Sequence, residues 1–247
     1  MTRYSKNYNS SRKGYSAWDV VHGWDYLKEH NISYLHYLSN SEILHRLRTY
    51  TRVTFVRHPL VRIYSAYKQK LATEKPPHCQ YYQETMGVHI LKKMRSNLTQ
   101  AELKCGYTVT FPEFIEYFVG DGMFDIMNDD HFLRYSDRCH PCFVDYNFIV
   151  KLETAENDQD EFIKQFMNPN PGEERVFHVN KGKNLGYDVE SYSTILKQYS
   201  QVNETHIKML LDIYKKDMDL FGYSSDIIEE GMKASCEIPS SDGGKCC

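Results

Sequence analysis

The 247-residue chain contains no run of about 18 apolar residues, so no segment of it reads as a membrane span. Met1 to Gly14 are polar and hold no apolar stretch, and no signal peptide is visible. The phosphate-loop pattern G-x-x-x-x-G-K-[ST] is missing, which argues against a nucleotide kinase. A second Cys-x-x-Cys is missing too, so Cys139-His140-Pro141-Cys142 falls short of the four ligands of a structural zinc site. No internal repeat is present. Acidic residues are lacking in one place: none lies between Glu42 and Glu74, where Arg46, Arg48, Arg52, Arg57, Arg62, Lys68 and Lys70 all fall. That segment carries +7 in a chain of net charge −3, leaving −10 for the remainder. Such asymmetry points to a local anion site rather than a generally basic protein, and nucleic acid is not an expected partner.

The same segment has a definite local shape. Val53 to Val56 is an apolar β-type run that ends in Arg57. Pro59 follows almost at once, and proline suits a first helical turn, where its missing N–H is no loss. Leu60, Ile63, Tyr64, Tyr67 and Leu71 then recur at helical spacing. The reading is a buried strand, a tight turn and a helix. Arg57 falls at the carboxyl end of the strand, where open α/β sheets bind ligands. The helix N-terminus is expected to offer free N–H groups and the positive end of its dipole. Arg62 and Ser65, three apart, share a helix face, and together they offer a guanidinium fork and a hydroxyl.

The length suits one domain, read as residues 17–224 between a flexible polar segment (1–16) and a disordered tail (225–247). Ser41 to Leu47 reads as a short capped helix, and Val88 to Ser96 as a helix with a basic face. Thr110 and Glu113 form a capping box for a helix carrying Phe114, Ile115 and Phe118, ended by Gly120 and Gly122. Asp125 to Cys142 reads as irregular and polar, the kind of loop that carries function. Phe148 to Leu152 reads as a strand and Asp158 to Phe166 as a helix. Asn180 to Gly186 reads as a basic loop holding Lys181 and Lys183. Thr205 to Phe221 is the clearest helix, with Gly222 as terminator.

Cys139 and Cys142 sit in a mid-chain loop rather than at the opening of a βαβ unit, which argues against a redox site. They are expected to lie in structural disulfides, with Cys79 and Cys105 available among the partners. Four N-x-[ST] sequons, at Asn9, Asn31, Asn97 and Asn203, fit a luminal chain.

The motif F-V-R-H-P-x-x-R-x-x-S-A-Y at Phe55 to Tyr67 resembles the 3′-phosphate-binding motif of the Golgi carbohydrate sulfotransferases, closest to the chondroitin/dermatan 4-O- and HNK-1-type enzymes. The likeness continues through Cys139-His140-Pro141-Cys142, through Asp145 to Thr154, and through Ile213 to Tyr223. It implies an α/β fold, a P-loop-NTPase-like parallel sheet flanked by helices, with its N-terminal part incomplete. It implies sulfate transfer from 3′-phosphoadenosine 5′-phosphosulfate (PAPS) to a glycan hydroxyl, with no metal required.

Arg57 and Ser65 would hold the 3′-phosphate, Arg62 would add charge, and His58 would join them in the cofactor site. A base must take the acceptor proton. His58, His131 and His140 are the candidates, and the pair His131-Phe132 resembles a His-Trp pair of the family. Lys181 and Lys183 would close over the nucleotide. The family's 5′-phosphosulfate loop, P-K-x-x-C-[ST]-x-W-K, has no match within Met1 to Tyr50, so poor turnover is expected, and the alternative is a non-catalytic nucleotide- or glycan-binding relative. The family also implies the Golgi lumen and a type II membrane anchor outside this chain.

Overall fold

The computed structural model describes residues 33–72, 79–167 and 192–225. The chain divides into two compact units, Met1–Arg52 and Val53–Cys247.

In the first unit a 3-10 turn, Leu35–Tyr37, precedes helix α1, Asn40–Thr49. The helix starts earlier than its sequence suggests, because Ser39 rather than Ser41 is the cap. Its hydroxyl accepts from Glu42 N–H, and the Glu42 carboxylate accepts from Ser39 N–H at 3.1 Å. These bonds satisfy donors that a helix start otherwise leaves open.

The second unit opens with β1, Val53–Val56, and α2, Pro59–Lys70, as the apolar run and the proline require. A π-helical turn, Gln83–Gly87, runs into α3, Val88–Met94, and the short α4, Gln100–Lys104, follows. Helix α5, Phe111–Val119, carries the expected Thr110–Glu113 capping box. Two short helices come next, α6 (Met123–Met127) and α7 (Tyr135–Arg138). Strand β2, Phe148–Lys151, leads through a 3-10 turn into α8, Ala155–Phe162, and a second π turn. Helices α9, Tyr192–Tyr199, and α10, Glu204–Phe221, complete the described part. Gly222 ends α10 at φ 60°, the left-handed conformation that glycine adopts without steric cost.

Strands β1 and β2 pair in parallel, Val53 beside Phe148 through Val56 beside Lys151. Parallel neighbours need a long crossover, and here α2 to α7 lie between them in the chain. The architecture is α/β, helix-rich around a small parallel sheet of two strands among the described residues. No helix among the described residues is long and apolar enough to cross a membrane.

The core is aromatic and lies where α2, α5, α9 and α10 meet. Leu60, Ile63, Tyr64, Tyr67 and Leu71 of the α2 stripe are all buried. Tyr64 packs edge-on to Phe111, with ring centroids 5.1 Å apart, and Phe111 likewise to Tyr199 at 4.9 Å. A buried tyrosine must still satisfy its hydroxyl. Tyr67 donates to Val109 O at 2.7 Å, Tyr199 to Leu60 O at 2.8 Å, and Tyr214 to Phe132 O.

Two expectations are corrected. The stretch Asp125 to Cys142 is not irregular throughout, because it holds α6 and α7. Helix α7 exists through a distant cap: Asp217 of α10, fully buried, accepts from Tyr135 N–H at 2.6 Å and Ser136 N–H at 2.8 Å. The disulfide expectation is also revised. Cys79 and Cys105 pair with each other, whereas Cys139 and Cys142 are thiols. Gly106 N–H donates to Gln83 O, and Gly87 and Gly106 touch so closely that a Cβ on either would clash with backbone. This contact carries Cys105 to Cys79. The Cys139–Cys142 turn is instead closed by its own backbone, with Phe143 and Val144 N–H both donating to His140 O.

Candidate functional site

The end of β1 and the start of α2 hold the first cluster. Arg57 Nη1 donates to Ser65 Oγ at 2.9 Å, so the two residues singled out by the sequence motif meet. Helical geometry explains this. Ser65 lies nearly two turns into α2, on a side that Arg57, two residues before the helix, reaches with its long side chain. Arg57 is half-buried, and burial draws its pKa below the usual arginine value, with the Glu153 carboxylate opposing that shift. Among the described residues its guanidinium has this one hydrogen bond, so further donors of the fork stay open for a planar or tetrahedral oxyanion.

The helix N-terminus offers fewer free N–H groups than the sequence suggested. His58 N–H donates to Glu153 Oε1 at 2.7 Å, and Leu60 N–H donates to His58 Nδ1 at 3.3 Å. Pro59 has no N–H. His58 is the N-cap of α2 and is only 3% exposed. Its Nδ1 accepts from Leu60, so Nε2 carries the proton and donates to Ser224 O at 3.1 Å. Burial pulls its pKa down, and the ring is neutral with both nitrogens engaged. That leaves the ring no donor for a phosphate.

Arg62 is used differently again. Its Nη2 donates to Leu133 O at 2.5 Å and to Phe132 O at 3.4 Å, and its guanidinium lies 4.2 Å from the Tyr135 ring centroid. It shares a helix face with Ser65 but reaches sideways to hold the turn before α7.

That turn carries the second cluster. Asp129 Oδ1 accepts from His131 Nδ1 at 2.8 Å and from His131 N–H at 2.8 Å, and Asp129 Oδ2 accepts from Tyr82 OH at 2.7 Å. Burial pushes Asp129 up, but hydrogen bonds from His131 and Tyr82 outweigh it and hold the carboxyl at about 2. Burial and Asp129 both push the Tyr82 hydroxyl upward. Phe132 anchors the turn from within the core at 0% exposure, while the His131 side chain is 39% exposed. An imidazole held through Nδ1–H by a carboxylate keeps Nε2 as an open acceptor. His131 and Tyr135 are four residues apart, hence at most about 14 Å between Cα atoms. Tyr135 in turn lies against the Arg57 backbone.

His140, the remaining candidate base, sits at φ 47° in the Cys139–Cys142 turn. Lys181 and Lys183 lie outside the described residues. Among the described residues, no three or more His, Cys, Asp or Glu side chains are gathered as a metal site. Sequence reasoning missed Asp129, Tyr82, Glu153, Tyr135 and Tyr223. Only Asp129 had a local signal, the Asp-x-His spacing to His131.

The profile described as the sulfotransferase family matches residues 5–224. The chain belongs to this family. Carbohydrate sulfotransferase 8 of Mus musculus is 33% identical over 183 residues, covering 74% of this chain and 42% of that protein. Carbohydrate sulfotransferase 9 of Homo sapiens is 30% identical over 214 residues, covering 86% of this chain and 46% of that protein. Carbohydrate sulfotransferase 14 of Danio rerio is 30% identical over 194 residues, covering 78% and 49%. The chain thus spans about half the length of the curated relatives it matches. No solved structure matches it significantly. Within the family match lie both clusters, Arg57–Ser65 and Asp129–His131.

Proposed function

We propose that the chain transfers the sulfuryl group of PAPS to a hydroxyl of a glycan, as a domain of residues 17–224 built on a P-loop-like parallel sheet and working in the Golgi lumen. The observation that carries this reading is the Arg57–Ser65 pair, 2.9 Å apart at the carboxyl end of a parallel strand. A half-buried guanidinium with open donors beside a hydroxyl suits a phosphate monoester, the group that marks PAPS at its 3′ position. The relatives' names supply the carbohydrate acceptor.

His131 supplies the base. Asp129 fixes Nδ1–H, and Nε2 takes the proton of the acceptor hydroxyl as its oxygen bonds to sulfur. The bond from sulfur to the bridging oxygen of the 5′-phosphate breaks, and that oxygen leaves with the electron pair. Positioning and charge stabilisation supply the acceleration, as in phosphoryl transfer. Arg62 acts on this site indirectly, by holding the turn that presents His131. Lys181 and Lys183 remain the proposed loop over the nucleotide.

The experiment is transfer of radiolabelled sulfate from PAPS to desulfated chondroitin and related glycans, for the wild type and His131→Ala. The variant is expected to lose about 10²- to 10⁴-fold in turnover while binding PAP, the desulfated product, unchanged. Equal turnover would remove His131 from the reaction. PAP binding without transfer by the wild type would favour a nucleotide-binding module.

A further inference from the structure

Glu153 occupies an unexpected place. It stands just past the end of β2, beside the turn that carries Arg57, so a carboxylate borders a site read as holding an anion. It is exposed, yet both of its oxygens are committed. Oε1 accepts from His58 N–H at 2.7 Å, and Oε2 accepts from Tyr223 OH at 3.0 Å.

Around it a bracket closes. His58 Nε2 donates to Ser224 O at 3.1 Å, and the His58 and Tyr223 rings meet edge-to-face at 5.1 Å. Lys151 Nζ donates to Gly222 O at 3.3 Å and lies 4.7 Å from the Tyr223 ring centroid. The residue next to Arg57 is thereby tied to the turn after β2 and to the segment just past α10 through one carboxylate. The charge of Glu153 also acts on Arg57.

We propose that Glu153 is a positioning residue of the phosphate site: its carboxylate fixes the Arg57–His58 turn against Gly222–Ser224, and its charge moderates how tightly an anion is held by Arg57. This rests on the reading that Arg57 binds the 3′-phosphate. The two roles are separable. An amide in place of the carboxylate keeps an acceptor for His58 N–H and removes the charge. A methyl group removes both.

The test is calorimetric titration of PAP into the full chain for wild type, Glu153→Gln, Glu153→Ala and Arg57→Ala, at low and high salt. Glu153→Gln is expected to bind PAP about threefold more tightly than wild type, with the gain shrinking as salt rises. Glu153→Ala is expected to bind at least about threefold more weakly than Glu153→Gln, because the turn is released. A merely structural residue would lower the melting temperature and leave the affinity of the folded protein unmoved. Glu153→Gln keeps the backbone contact, so it carries the test alone if Glu153→Ala does not fold. If both Glu153 variants bind like wild type while Arg57→Ala loses PAP, the inference about Glu153 is overturned and the phosphate reading stands. If Arg57→Ala binds PAP like wild type, the phosphate reading falls and this inference with it.

Discussion

Arg57 and Arg62 belong to the same strand–turn–helix segment and put the same guanidinium to opposite uses. Arg57, at the end of β1, makes one side-chain bond to Ser65 and keeps donors open. Arg62, inside α2, gives Nη2 to the carbonyls of Phe132 and Leu133 and lies over the Tyr135 ring, while its buried Nε has no partner among the described residues. The difference teaches that proximity to an anion motif does not make an arginine an anion ligand. What decides is where the fold has already committed the guanidinium. Region by region the contrast holds: the β1–α2 turn is braced from outside by Glu153 so that Arg57 can stay open, while the turn before α7 is braced by Arg62 itself.

The sharpest way to break this contrast is Arg62→Ala. Leu133 O would lose its donor, Phe132 O would keep only Tyr214, and Tyr135 would lose its cation. The expected loss is about 2–4 kcal/mol of stability, read from a denaturant midpoint, with PAP affinity of the folded protein nearly unchanged. Full stability together with lost PAP binding would make Arg62 a ligand and erase the distinction.

A smaller effect concerns the same turn at low pH. The Asp129 carboxyl is held at about 2 when folded, against an ordinary carboxylate value near 3.9. A depressed folded value contributes stability above the unfolded pKa, and that contribution is lost as pH falls through the folded one. The melting temperature of wild type should therefore drop more steeply between about pH 4 and pH 2 than that of Asp129→Asn. Parallel curves would show that the hydrogen bonds of His131 and Tyr82 do not stabilise the carboxylate.

Much of the scaffold was legible in the sequence because its signals are local. The run Val53 to Val56, Pro59 and the apolar spacing from Leu60 to Leu71 marked strand, turn and helix within a few residues of each other. The Thr110–Glu113 capping box and Gly222 were equally local. The meeting of Arg57 and Ser65 was legible only through a family likeness. What escaped notice depends on partners far along the chain. Glu153 is 95 residues from His58, and Leu133 is 71 from Arg62. Asp217 caps α7 from 82 residues away. No spacing rule within a segment encodes such contacts. The same reasoning explains the reading of open N–H groups at the start of α2, since their acceptors include the distant Glu153. The cysteine pairing escaped because two glycines in contact, Gly87 and Gly106, brought Cys79 and Cys105 together.

The most direct measurement compares PAP with adenosine 5′-monophosphate, which differs by the 3′-phosphate alone, in wild type and Arg57→Ala by calorimetry. If Arg57 holds that phosphate, the wild type prefers PAP and the substitution lowers the preference by at least about thirtyfold, the equivalent of about 2 kcal/mol for a charge-assisted phosphate contact. An undiminished preference for PAP in Arg57→Ala would contradict the assignment of the site.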